Sequence, residues 1–184
     1  RNPGGFYSYN HYCRMYREWL KTTSPSMRQV HKAGEKLFVD YCGPTVGVTD
    51  PETGEIRTAQ VIVAVLGASS YTWAEATWSQ QLEDWVMSHV RCFQWLGGVP
   101  ELVVPDNLKS ATSRACKYDP DVNPTYQQML EHYNVAVLPA RPRKPKDKAK
   151  AEVGVQVVER WIMARIRHEI FYSLASLNQR IREL

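Results

Sequence analysis

Cysteine is scarce in this chain, and its four residues of that type (Cys13, Cys42, Cys92 and Cys116) stand far apart with no CxxC pair. With few histidines near them in sequence, the usual structural zinc patterns are excluded. A chain of 184 residues can bury enough apolar surface to fold without disulfides, so a reducing, cytoplasmic setting is expected. Long apolar runs are missing as well. Nothing approaches the roughly 20 residues that span a bilayer, and no signal peptide opens the chain, so no membrane partner is expected. Internal repeats and low-complexity segments are absent apart from one basic stretch. The chain starts at Arg1 rather than Met and stops at Leu184 inside an uncapped helical pattern, which reads as a piece of a longer protein.

What is present is ordinary in bulk: 43% hydrophobic, 23% charged and 11% aromatic residues. That excludes disordered and collagen-like classes and fits one well-cored domain with a helix at each end. A net charge of +4 is only mildly basic, so the clustering of that charge matters more than its sum.

Apolar and aromatic residues at helical spacing predict a first helix over 6–22, broken by Thr23–Ser26. From Lys36 the pattern turns to strands. Lys36–Gly43 is the first, with Thr45–Thr49 its continuation or a short second one. The turn Asp50-Pro-Glu-Thr-Gly54 leads to the β-branched run Ile56–Ala68, and Tyr71–Thr77 follows. Gln80–Leu96 carries an apolar stripe ended by Gly97-Gly98, a C-cap signal. Pro100–Pro105 reads as a short apolar strand, 108–123 as an irregular loop, Pro124–Tyr133 as a helix and Val135–Pro139 as a strand. A helix is then expected from about Asp147 to Phe171, and Ser173 caps a last one. The order β-β-β-α-β-α-β-α implies a mixed five-stranded sheet with helices on both faces. The boundaries read as an N-terminal helix and linker over 1–30, a core over 31–171 and a C-terminal helix over 172–184.

Three carboxylates stand out by position among 19 acidic residues. Asp40 interrupts the apolar strand Leu37-Phe-Val-Asp-Tyr-Cys42, where aspartate is disfavoured and an unpartnered charge is costly. Asp106 ends the run Leu102-Val-Val-Pro-Asp106, at the strand end where open α/β sheets place ligands. Glu152 opens a helix directly after a basic stretch. Each also has a plainer account: an ion-paired buried aspartate, an Asx turn, and a carboxylate favoured by the helix dipole. Converging on one point, the three would hold divalent ions against a phosphate backbone.

The residues His31-Lys-Ala-Gly-Glu-Lys-Leu-Phe-Val-Asp40-Tyr-Cys-Gly43, Pro105-Asp106-Asn107-Leu-Lys109 and Pro139-Ala-Arg-Pro-Arg-Lys-Pro-Lys-Asp-Lys-Ala-Lys-Ala-Glu152 resemble the three motifs of IstA-type insertion-sequence transposases. Those enzymes have the RNase H-like core of DDE integrases and transposases. The resemblance spans residues 31 to about 165. It implies two Mg²⁺ (or Mn²⁺) ions, with Asp40 bridging both, Asp106 holding one and Glu152 the other. It also implies DNA as substrate, cleavage at transposon ends, joining of the 3′-OH to target DNA, a multimer of the full-length protein on DNA and a companion AAA+ ATPase. The 45 residues between Asp106 and Glu152 exceed the interval of retroviral integrases, which argues against that branch. The alternatives are a nuclease of the same fold that does not join strands, and a non-catalytic nucleic-acid-binding domain.

Six cations and one acid lie between Arg141 and Lys150. Pro142 and Pro145 favour an extended course, as for a loop on phosphates or a solvated charge run. Lys148 and Lys150 are the first candidates for DNA contact, then Arg141, Arg143, Lys144 and Lys146, with Lys109 and Asn107 beside the second acid. Trp85, Trp95 and Trp161 read as core rather than base-stacking platforms. His31, His89, His132 and His168 have no ligand spacing, and Tyr9, Tyr12 and Tyr16 read as one face of the first helix.

Overall fold

β-branched residues concentrate between Ile56 and Leu66, and that stretch forms the strand around which the rest is ordered. The computed structural model describes residues 8–23, 30–105, 112–114, 121–138 and 149–184. They belong to two compact units, Arg1–Val30 and His31–Leu184. The first contains helix α1 (Tyr9–Thr23), whose Tyr12 and Tyr16 rings stack at 6.0 Å and Tyr16 and Trp19 at 5.8 Å. That follows from i,i+4 and i,i+3 spacing on one helix face.

The second unit runs β1 (Lys36–Tyr41), β2 (Val46–Thr49), β3 (Ile56–Leu66), β4 (Thr72–Thr77), α2 (Leu82–Leu96), β5 (Leu102–Pro105), β6 (Thr112–Arg114), β7 (Asp121–Val122), α3 (Pro124–His132), β8 (Ala136–Val137), α4 (Ala149–Val158), α5 (Ala164–Ile166) and α6 (Leu174–Glu183). A π-helical turn, Glu159–Met163, joins α4 to α5. β3 pairs antiparallel with β1 (Leu37↔Leu66 to Tyr41↔Ile62) and with β4 (Val65↔Thr72 to Gln60↔Thr77). β5 adds parallel to β1 (Phe38↔Val104, Val39↔Pro105), and β8 parallel to β5. The sheet is mixed, as expected.

It has six strands rather than five, because the first long strand breaks after Tyr41 and β2 resumes the pairing with β3 (Val46↔Ala59 to Thr49↔Ile56). The expected loop over 108–123 contains the small antiparallel pair β6–β7. The expected helix from Asp147 to Phe171 is interrupted by the π turn and ends at Ile166. The local signals that did hold have visible causes. Gly97 ends α2 in the left-handed region at φ 68°, Asn123 caps α3 through Thr125 N–H, and Ser173 caps α6 through Ser176 N–H.

The two faces of the sheet have different partners. Leu37, Val39, Tyr41 and Val103 pack with Trp85, Phe93, Tyr126 and Leu130 of α2 and α3. Val61, Val63, Val65 and Ala76 pack instead with Val158, Met163, Ile166, Leu177 and Ile181. Trp85 is fully buried, as read from sequence. Trp95 and Trp161 are not core: they are 41% and 54% exposed, Trp95 stacked on Tyr71 and Trp161 against the Arg165 guanidinium.

The buried His89 and Glu75 of the α2 face are paired, whereas the buried Trp85 Nε1 has no hydrogen-bond partner among the described residues. The His89 Nδ1–H donates to the Trp85 carbonyl at 2.8 Å, and its Nε2 accepts from the Tyr126 hydroxyl at 3.1 Å. Burial pushes its pKa from 6.5 down to about 4. The unfolded chain therefore takes a proton that the folded one refuses, so stability is complete above pH 6.5 and is lost as pH falls toward 4. His89 is expected to account for up to about 3 kcal/mol of that loss. Urea unfolding at pH 7 and pH 4.5 should show a smaller drop for His89→Gln than for the parent; equal drops would exclude the effect. Glu75, 6% exposed on β4, receives Arg91 Nε at 2.8 Å on both oxygens and the Ser88 hydroxyl at 3.3 Å.

α6 guards the outer edge of β4. The Asn178 side chain accepts from Ala76 N–H at 2.6 Å and donates to the Ala76 carbonyl at 2.9 Å, which imitates one rung of an added strand. Asn178→Leu strands both groups and is expected to cost about 2 kcal/mol in chemical unfolding, with Asn178→Asp roughly half as costly. An unchanged midpoint for the Leu variant would show that water replaces the amide.

Candidate active site

Strand alternation decides which way Asp40 faces. Leu37, Val39 and Tyr41 point to the α2 side, so Phe38, Asp40 and Cys42 point to the opposite face. Phe38 packs there with Val104 and Ala151, and Cys42 with the cluster that includes Val158. α4 therefore passes over β1 from the level of Phe38 to that of Cys42, with Asp40 between. Asp40 is half-buried and its Oδ1 accepts from Tyr41 N–H at 2.8 Å.

One residue lets the helix come this close. A Cβ on Gly154 would lie 2.1 Å from Val65 Cγ2, inside any tolerable contact. Val65 pairs with Phe38 across β3 and β1, so the Gly154 contact and the Ala151–Phe38 contact fix α4 at the same level. Glu152 lies between them, exposed, in the first turn of the helix. The helix that carries Glu152 is thus seated on the side of the sheet that Asp40 faces.

β5 ends at Pro105, paired with Val39. Asp106 is the next residue and lies outside the described residues, as do Asn107, Lys109, Arg141, Arg143, Lys144, Lys146 and Lys148. Of the expected DNA-contacting cations only Lys150 is described. Its Nζ donates to Ser70 Oγ at 2.8 Å, and its charge reaches His31, whose pKa is lowered by burial, Lys36 and Lys150.

Sequence reasoning missed Glu159. It sits two turns beyond Glu152, at the start of the π turn, and π turns concentrate at functional sites. The i,i+7 spacing from Glu152 was the available signal. The Cys42 thiol is pushed up to about 12 by burial, then by the charges of Glu159 and Asp40. Cys42 thus stays a protonated thiol and a poor ligand, and the donors facing this side are carboxylate oxygens. Oxygen donors suit hard divalent cations such as Mg²⁺ and Mn²⁺. With Asp106 undescribed, no group of three ligand-type side chains is gathered among the described residues.

Residues 30–145, more than half of the chain, match the integrase core domain model. The chain belongs to the integrase core domain family. Glu152 lies beyond the matched stretch. The chain is 53% identical over all its 184 residues to the putative transposase for insertion sequence IS408 of Burkholderia multivorans, covering 36% of it. It spans about a third of the length of the curated relatives it matches first. Among solved structures, the integrase core resembles the simian T-cell lymphotropic virus intasome at a TM-score of 0.60 and 12% identity, over 84% of this chain and 49% of that one. It also resembles the HTLV-2 integrase catalytic core solved in complex with magnesium, at 0.55 and 9%, over 84% and 85%. These likenesses establish the fold as the RNase H-like α/β fold of retroviral integrase cores. Among the described residues, no helix is long and apolar enough to cross a membrane.

Proposed function

We propose that this integrase core is the catalytic domain of an IstA-type DDE transposase that cleaves transposon DNA ends and joins the 3′-OH to target DNA. The observation that supports the reading is that α4, the helix of Glu152, is seated on the side of the sheet that Asp40 faces, through the Ala151–Phe38 and Gly154–Val65 contacts. Asp106, next after the end of β5, is the third acid of the set. These three residues would hold two Mg²⁺ or Mn²⁺ ions. When bound, the ions supply the positive charge that lowers the barrier to in-line phosphoryl transfer.

The chain's own residues do the positioning. The half-buried Asp40 is fixed by its strand, and Glu152 by a helix that Gly154 seats against β3. Arg141, Arg143, Lys144, Lys146, Lys148, Lys150 and Lys109 would bind phosphates without regard to sequence, and Asn107 would orient the scissile group. The work belongs to a multimer of the longer protein on DNA, in the bacterial cytoplasm at the nucleoid, with a companion AAA+ ATPase governing the target.

Joining of a pre-cleaved insertion-sequence end to plasmid DNA tests the reading, with Mg²⁺ or Mn²⁺ and with EDTA. Metal-dependent joined product is the expected result. Hydrolysis without joining would replace the transposase with a nuclease of the same fold. DNA binding indifferent to divalent ions, with neither reaction, would reduce the domain to a binding module.

A further inference from the structure

The outer edge of β4 is only half closed. Ala76 pairs outward with Asn178, and the Leu66 N–H to Tyr71 carbonyl bond shows which rungs face β3. By strict alternation, the N–H and C=O of Thr72 and Ala74 point outward like those of Ala76. Among the described residues, no hydrogen bond reaches these outward groups of Ala74 or the outward N–H of Thr72.

Thr72, Trp73 and Ala74 line a cleft of about 220 Å³ whose walls include Trp95, Val157, Trp161, Ile181, Arg182 and Leu184. One wall comes from α2, where Trp95 is stacked on Tyr71 at 4.7 Å. The others come from α4 with the π turn and from the end of α6, which supplies Ile181, Arg182 and Leu184. A second depression of about 270 Å³ adjoins it through the shared Val157 and Trp161. Unpaired strand groups between apolar walls make a template for an added strand.

Charge decides what kind of strand fits. Arg182 is the charged side chain of the first cleft and Arg160 that of the second, while Arg165 stacks its guanidinium 3.9 Å from the Trp161 ring centre. The neighbouring Glu183 is occupied by Arg180. Two copies of this chain meeting edge to edge would oppose arginine with arginine. A nucleic-acid backbone would leave the apolar walls and the amide edge unused.

We infer that the Thr72–Ala74 edge is a docking site for an extended segment of a partner protein, which pairs with Ala74 as an extra strand, places apolar side chains against Trp95 and Trp161, and presents carboxylates to Arg160, Arg165 and Arg182. The site lies on the strand farthest from β5, and it does not depend on the role of the acids.

The test is selection of a displayed random dodecapeptide library on the folded chain, with hits measured by fluorescence anisotropy. The expected hits alternate apolar residues with Asp or Glu. Ala74→Pro removes the outward N–H on an edge strand, where proline is tolerated, although its ring also enters a position only 9% exposed; it is expected to weaken them at least about tenfold, as is Arg182→Glu. N-methylation of the hit at the pairing residue gives the same loss without altering the protein. Bound peptide is expected to slow hydrogen exchange at Ala74. No enriched peptide, or hits indifferent to both the Ala74→Pro and N-methyl changes, would overturn the inference. So would an Ala74 amide already slow in the free chain, or one protected instead by duplex DNA or by self-association in sedimentation.

Discussion

Asp40→Asn and Glu152→Gln are each expected to lower joining of a pre-cleaved end by roughly 10³-fold or more, with the folded state intact. The reasoning is electrostatic. Both substitutions keep shape and remove one negative charge from the side of the sheet where Asp40 and Glu159 both act on Cys42 and where the Glu152 helix lies. Without a bound cation that charge repels itself, so its loss should leave unfolding free energy unchanged or slightly higher. Activity and stability therefore move apart, which distinguishes a ligand from a structural acid. Glu75 supplies the contrast, because Arg91 and Ser88 hold it. Glu75→Gln should lower stability and leave the divalent-ion requirement alone. Retained joining by Asp40→Asn or Glu152→Gln would remove that residue from the site, and a matching fall in stability would make its role structural.

Gly154→Ala should be the most damaging change outside the acids. The added carbon would meet Val65 Cγ2 at 2.1 Å and Val65 Cβ at 3.3 Å, and Val65 is itself locked between Phe38 and Thr72. The helix must lift, at a cost of about 2–3 kcal/mol. Lifting moves Glu152, two residues away, off Asp40, and a displacement near 1 Å at a reacting centre costs about 10²-fold. Val65→Ala in the same chain removes the obstructing methyls. The pair should recover much of both losses, so the double-mutant cycle shows strong positive coupling. Additive effects would mean that α4 is not seated by this contact.

Much of this was legible in the residues, for local reasons. β-branched runs, the Gly97 and Ser173 caps and the apolar stripe of α2 all act within a few residues. What the sequence hid is long-range. The rule that singled out Asp40, an acid inside an apolar strand, applies equally to Glu75 in Thr72-Trp-Ala-Glu-Ala-Thr77. Only tertiary structure shows that Arg91 answers the second. Trp95 and Trp161 share the helical spacing of core residues, yet both are exposed, held by surface partners on Tyr71 and Arg165. The π turn has no signal in composition. Gly154 has no local signal of its role, whereas in the fold it is the position that lets α4 seat against Val65.

The Asn178–Ala76 pairing has a consequence in time. The two residues are 102 positions apart, so at ribosomal rates of ~5–20 residues per second the β4 edge emerges ~5–20 s before its cover. Throughout that interval Trp73 to Ala76 offers an open backbone to any neighbouring nascent chain. Slower translation beyond Thr77 lengthens the exposure. Synthesis rate thus sets the fraction of chains lost to strand pairing between copies, and Asn178→Leu makes that exposure permanent in the finished molecule.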